Sequence, residues 1–155
     1  MNNTTNILVV DDSELARMNI LNQLKESFEQ SNIFLAATID DAWQLLIKNS
    51  IDIVILDIYL PGKNGADLVT DMLKNNKFKD IPIIVVTGTS KSSLIKSVIK
   101  KYVHAYLHKP IFKDVLLNAI KEGINKKNSI TVGDNPTLTE RKLKSFELRD
   151  NSFWW

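Results

Sequence analysis

The chain contains no cysteine, which excludes a disulfide framework, a thiolate metal site and a thiol nucleophile, so any chemistry falls to oxygen and nitrogen groups. Long apolar runs are missing as well, none approaching the ~20 residues that cross a bilayer. The opening stretch MNNTTNILVV has neither the basic flank nor the small-residue cleavage site of a secretory signal, and a cytoplasmic location is expected. Internal repeats and low-complexity tracts are absent too. What is present suits one globular domain: 155 residues, 44% hydrophobic and 25% charged, too few for a second large domain. The net charge of +2 conceals an asymmetry, because residues 1–60 carry 3 basic and 9 acidic side chains and residues 61–155 carry 17 and 9. A carboxylate site with a separate basic surface explains that division better than a nucleic-acid-binding face does.

Strand-like and helix-like segments alternate with short connections. Ile7–Val10, Ile33–Ala37, Ile53–Leu56, Ile83–Val86 and Ala105–Leu107 are short apolar runs that predict five strands. Helical spacing appears in Leu15, Met18, Leu21, Leu24 and Phe28, and then around Leu45–Leu46, Leu68–Leu73, Leu94–Ile99 and Val115–Ile124. Ser13, Asp40 or Asp41, Asn64 and Ser90 are the expected N-caps of the first four helices. Strict alternation implies an α/β fold with a parallel sheet, since each helix returns the chain to the same edge. The pattern covers residues 5–127. Residues 128–155 form an extension in which Thr137–Glu140 reads as a capping box for a short helix at 138–148, and Phe153, Trp154 and Trp155 give it an aromatic end that needs a partner surface.

In such a sheet the residues just after the strands converge on one rim, where open α/β folds hold ligands. Strand one leads into Asp11 and Asp12, strand three into Asp57, strand four into Thr87 and strand five into Lys109. Taken singly, each has a plainer role: an Asp caps a helix, a Thr caps a turn, a Lys is solvated. Taken together, three carboxylates would repel one another unless a cation neutralised them. An all-oxygen cluster suits a hard ion such as Mg²⁺ (or Mn²⁺), which takes one or two carboxylates and phosphate oxygens. A carboxylate can accept a phosphoryl group, with metal, ammonium and hydroxyl groups neutralising its oxygens.

Four stretches in order, Val9-Val10-Asp11-Asp12-Ser13, Ile55 to Gly65 around Asp57, Val85-Val86-Thr87-Gly88 and Tyr106-Leu107-His108-Lys109-Pro110, resemble the receiver domain of two-component response regulators. The resemblance implies a three-layer flavodoxin-like (βα)5 fold with a five-stranded parallel sheet in the order 2-1-3-4-5. It implies that Asp57 is the phosphoacceptor and that Asp11, Asp12, Asp57 and the backbone carbonyl of Tyr59 hold Mg²⁺. By the same resemblance Thr87 and Lys109 contact the phosphoryl oxygens, Thr87 and Tyr106 form the switch, and the bond preceding Pro110 is cis. Such a protein would be a phosphoacceptor switch rather than an enzyme on other substrates, catalysing only its own phosphorylation and dephosphorylation. Its expected partners are a histidine kinase or histidine phosphotransfer protein and a downstream protein target. The output face would comprise the fourth helix, fifth strand and fifth helix, where Lys91, Lys96, Lys100, Lys101, Lys113 and Lys121 lie, and self-association would use that face or the tail.

The sequence departs from the family at Tyr102-Val103-His104-Ala105, where Gly-Ala followed by polar residues is usual, and His104 and His108 are read as surface residues. Tyr59 and Thr89, neither carboxylate nor amide, lead us to expect an aspartyl phosphate that outlasts those of fast chemotaxis regulators. Three other readings compete. A haloacid dehalogenase-type phosphohydrolase needs a second aspartate where Tyr59 stands. A receiver fragment of a DNA-binding regulator is faintly suggested by Leu138-Thr139-Glu140-Arg141, but only 18 residues remain from Leu138, too few for a helix-turn-helix domain, so direct DNA binding is not expected. A binding-only adaptor would keep the fold without phosphotransfer. The expectation is a stand-alone receiver with no membrane association.

Overall fold

A computed structural model describes residues 4–88 and 99–130. The elements in order are β1 (Thr5–Val10), α1 (Glu14–Ser27), β2 (Ser31–Ala36), α2 (Ile39–Lys48), β3 (Ile53–Leu56), α3 (Gly65–Lys74), β4 (Ile83–Thr87), β5 (Ala105–His108) and α4 (Lys113–Ile130). Ser90, Thr89, Lys91, Lys96, most of the helix predicted around Leu94–Ile99, the tail helix at 138–148 and the aromatic end lie outside the described residues. The last described helix continues to Ile130, three residues past the expected edge of the pattern.

All five strands pair in parallel in the order β2-β1-β3-β4-β5. The fold is the expected flavodoxin-like α/β architecture. Side chains alternate across each strand, so Leu8, Val10, Val54, Leu56 and Val85 join one core with α2 and α3. Ile7, Val9, Ile53, Ile55, Ile84 and Val86 join a second core with Ile20, Leu24, Leu116 and Ile120 from α1 and α4. Both faces are covered, which is why strands β3 and β4 are buried at every position. Among the described residues no helix is long and apolar enough to cross a membrane.

Two local expectations need correction. The N-cap of α2 is Thr38, whose side chain accepts the Asp41 N–H at 3.1 Å, and not Asp40 or Asp41, which lie inside the first turn. There the two acids favour the positive end of the helix dipole instead. In α1 the buried residues are Ile20 and Leu24, whereas Leu15 is 72% exposed and Met18 is 41% exposed. The stripe facing the sheet is therefore displaced around the helix from the one that begins at Leu15. Ser13 and Asn64 cap α1 and α3 as expected, accepting from Ala16 and Ala66.

Candidate functional site

The pocket is built from strand ends. The Asp11 N–H donates to the Ala36 carbonyl at 3.1 Å and the Asp57 N–H to the Val10 carbonyl at 2.9 Å, so each carboxylate leaves the last ladder bond of its strand in a fixed direction. Asp11 and Asp57 are buried, and Asp12 is exposed beside them. One oxygen from each of these three carboxylates lies within 4.8 Å of the others. Lys109, whose N–H donates to the Thr87 carbonyl at 2.8 Å, extends Nζ between two of them: 2.8 Å from Asp11 Oδ2 and 3.0 Å from Asp57 Oδ2.

The other carboxylate oxygens are engaged locally. Asp11 Oδ1 accepts the Ser13 N–H at 2.9 Å, and Asp57 Oδ1 accepts the Tyr59 N–H at 3.0 Å. The loop after β3 must pass very close to the start of α3. A Cβ at Gly65 would lie 2.7 Å from the Asp57 carbonyl oxygen and 2.8 Å from Ile58 Cα, so only glycine fits. Gly62 turns the same loop with a positive φ of 78°. The Lys109–Pro110 peptide bond is cis.

Burial pushes the Asp57 carboxyl above its ordinary 3.8, with the Asp11 charge adding, and the hydrogen bonds from Lys109 and Tyr59 only partly oppose the rise. For Lys109 burial works against the ammonium, but the bonds to Asp11 and Asp57 outweigh it and hold the group above 10.5. One ammonium against three carboxylates leaves an excess of negative charge in a partly buried place. Thr87, fully buried, has an Oγ1 with no hydrogen-bond partner among the described residues. An all-oxygen donor set with unbalanced charge and an unsatisfied hydroxyl fits a small hard cation and an incoming anionic group.

The pocket thus brings together Asp11, Asp12, Asp57 and Lys109, with Thr87 at the end of β4 and Tyr59 on the loop after β3. Tyr106 is half-buried on β5. Its phenol is raised above 10 by burial first, then by Tyr59 and Asp57, so the neutral hydroxyl lies within electrostatic reach of the pocket. Lys100 Nζ sits 5.3 Å from the Tyr106 ring centroid, and the His108 ring meets it edge-on at 5.5 Å.

Sequence reasoning missed Arg17, whose Nη1 donates to the Asp11 carbonyl at 2.6 Å and ties the first turn of α1 to the pocket floor. Its position six residues after Asp11, on the first turn of a helix leaving that loop, was the available signal. His108 is exposed as expected, but His104 is not a surface residue. It is half-buried, with Nε2 donating to the Ala119 carbonyl at 3.1 Å, and it packs where α4 crosses at Gly123. A Cβ at position 123 would come within 3.1 Å of the His104 ring.

A sequence model of the response regulator receiver domain matches residues 7–121. The chain belongs to that family. Receiver-domain relatives include the transcriptional regulatory protein MalR of Bacillus subtilis, 33% identical over 59% of this chain and 38% of MalR. A chemotaxis protein CheY homolog of Campylobacter jejuni is 38% identical over 52% of this chain and 62% of the homolog. The chain therefore spans less than two thirds of the length of these relatives. Among solved structures, a response regulator receiver domain protein from Clostridium thermocellum matches with a TM-score of 0.72 at 26% identity, covering 81% of this chain and 98% of that one. A CheY-like receiver domain protein from Methanospirillum hungatei gives 0.70 at 26% identity, over 82% and 98%. The receiver-domain assignment, the parallel sheet order and the acidic pocket agree with one another, and the chain continues beyond the matched domain.

Proposed function

We propose that this receiver domain is a cytoplasmic phosphoacceptor switch of a two-component or phosphorelay system, with Asp57 as the acceptor. The observation that carries the reading is the acidic pocket: three carboxylates within 4.8 Å, two of them bridged by Lys109. Asp11, Asp12, Asp57 and the Tyr59 carbonyl would hold Mg²⁺ or Mn²⁺. When bound, the ion neutralises charge on the transferred group. A histidine kinase or histidine phosphotransfer protein presents a phosphohistidine at the open side of the pocket, where Asp12 is exposed. An Asp57 carboxylate oxygen forms the new O–P bond as the N–P bond breaks, and the imidazole leaves with the electron pair and takes up a proton. Lys109 neutralises developing charge on the phosphoryl oxygens, and the Thr87 hydroxyl donates to one of them.

The product adds about −1.5 to −2 charge beside Thr87. Engagement of Thr87 by that charge, followed by an inward turn of Tyr106, would bias the face carrying β5 toward a downstream protein target or a second copy. Release of the phosphate needs an aligned water, and the half-buried Tyr59 stands two residues from the acceptor with a bulky side chain. The aspartyl phosphate should therefore persist longer than seconds in Mg²⁺ buffer. Incubation with acetyl phosphate or a phosphohistidine donor tests the reading. Mg²⁺-dependent labelling that disappears in Asp57→Asn supports it, and no labelling of the folded wild-type protein leaves a binding-only adaptor.

A further inference from the structure

Two of the three pocket carboxylates are held by donors, and the third is not. Asp11 accepts the Ser13 N–H and the Lys109 ammonium, one on each oxygen, and Asp57 accepts the Tyr59 N–H and the same ammonium. Asp12 is exposed, and among the described residues no donor holds its carboxylate. An oxygen of Asp12 nonetheless lies within 4.8 Å of the other two groups, close enough to share a cation with them. Its direction therefore depends on the backbone that carries it.

A peptide unit is planar, so fixing the Asp11 carbonyl oxygen also fixes the nitrogen and Cα of Asp12. The Asp11 N–H is anchored on Ala36, and the Asp11 carbonyl accepts Nη1 of Arg17 at 2.6 Å. That bond is short and its donor is ionised, the kind of hydrogen bond roughly twice as strong as a neutral one. Arg17 reaches back six residues because helical side chains lean toward the N-terminus, and its own N–H donates to the Ser13 carbonyl at 3.0 Å in the first turn of α1. Ser13 caps that turn, so the half-buried guanidinium is carried on a fixed support. Such a group has two opposed influences on a bound cation. Its charge repels a divalent ion, weakly where solvent and salt screen the interaction. Its hydrogen bond orients a ligand, and removal of partners of that kind typically costs roughly 10–100-fold in metal affinity.

We propose that Arg17 is a positioning residue of the cation site: by holding the Asp11–Asp12 peptide it aims the Asp12 carboxylate at the ion. The inference rests on the reading that the pocket takes a divalent cation, and it does not depend on phosphotransfer. Charge and geometry predict opposite signs. If the guanidinium acted through its charge, removing it would tighten cation binding, whereas removing a positioning group loosens it.

The test is Mn²⁺ binding to the full, unphosphorylated chain, with free Mn²⁺ counted by electron paramagnetic resonance. Arg17→Met keeps the apolar stem and removes the donor, and it should weaken binding by about 10-fold or more. Arg17→Gln, whose amide is too short to reach the carbonyl, should act in the same direction and serves if the methionine variant does not fold. Arg17→Lys, which retains a charged donor, should restore most of the affinity. In an Asp12→Asn background the loss of Arg17 should cost little further, because the ligand it aims is gone. Affinity equal to or tighter than wild type in folded Arg17→Met or Arg17→Gln overturns the proposal. So does a full additional loss in the Asp12→Asn background, which would mean that Arg17 acts on the site by another route. Absence of Mn²⁺ binding by the wild-type chain is a distinct result, and it overturns the cation reading and this inference with it.

Discussion

Each rim of the sheet sets a lysine against a carboxylate, and the two lysines are equally sheltered, with side chains 29% exposed at Lys109 and 28% at Lys127. At the rim where the strands begin, Asp52 accepts the Asn6 N–H at 2.8 Å and the Lys127 ammonium at 3.1 Å. One positive charge meets one negative charge, and both carboxylate oxygens have donors. At the rim where the strands end, the single Lys109 ammonium faces Asp11 and Asp57 directly, with Asp12 beside them. The lysines do not separate the two arrangements; the carboxylates do, in burial, with Asp52 34% exposed against 3% at Asp11 and 9% at Asp57, and in charge balance. A balanced pair ties α4 to β3 and asks for nothing more. An unbalanced cluster is tolerable only where a cation or a charge-altering reaction completes it.

The contrast breaks most sharply on the acceptor itself. Asp57→Asn should abolish Mg²⁺-dependent incorporation of phosphate from acetyl phosphate, whereas Asp52→Asn should leave its extent at the wild-type level, both read as an 80-Da mass shift of ~100% or 0% occupancy. Equal loss in both variants would mean that the two rims are not functionally distinct. The lysines sharpen the comparison next. Lys109→Ala should slow phosphorylation by about 10²-fold or more, the usual cost of removing one group that stabilises transition-state charge. Lys127→Ala should leave that rate unchanged and lower stability by about 0.5–1 kcal/mol in a denaturant titration, as expected of a part-exposed pair.

Metal provides the third contrast. Mg²⁺ at about 100 times its Kd should raise the unfolding free energy by about 2.7 kcal/mol. The increment should persist in Asp52→Asn, shrink in Asp12→Asn and vanish on chelation. An increment that follows Asp52 instead would place the cation at the wrong end of the strands.

The parts of this molecule that were legible in the sequence are those fixed by short-range pattern. A strand such as Ile53–Leu56 must be apolar at every position because both sheet faces are covered, so its sequence announces it. The acidic pocket follows from topology alone: parallel strands deliver whatever succeeds them to one rim, and here that is Asp11, Asp12, Asp57, Thr87 and Lys109. What stayed hidden depends on geometry between segments. Thr38 takes the cap of α2 because the extended backbone runs up to it, at φ −133° and ψ 161°, and three polar residues in four positions do not reveal where that run stops. Leu15 and Met18 fit a helical stripe as well as Ile20 and Leu24 do, and only the angle at which α1 lies on the sheet decides between them. His104 looks like any exposed imidazole until α4 crosses it with Gly123 at the contact.

The smallest expected effect concerns stability rather than chemistry, and it separates the rims by sign. Burial raises the Asp57 carboxyl in the folded state above its ordinary 3.8, so the native protein binds that proton more tightly than the unfolded chain does. The group's favourable contribution is therefore complete below about the unfolded value and is lost as pH rises through the folded one. At neutral pH the ionised side chain is a net cost to the metal-free fold. Asp57→Asn should accordingly raise the Tm of the metal-free protein at pH 7, by about 2–4 °C for each kcal/mol relieved in a domain near this size. The gain should shrink as pH falls toward 4. Asp52→Asn should do the reverse at pH 7, lowering Tm, because it weakens the pairing with Lys127 without relieving any crowding of like charge. If both amides lower Tm at pH 7 in chelator, the acidic pocket is held together as a structural salt bridge, and the argument from charge imbalance fails.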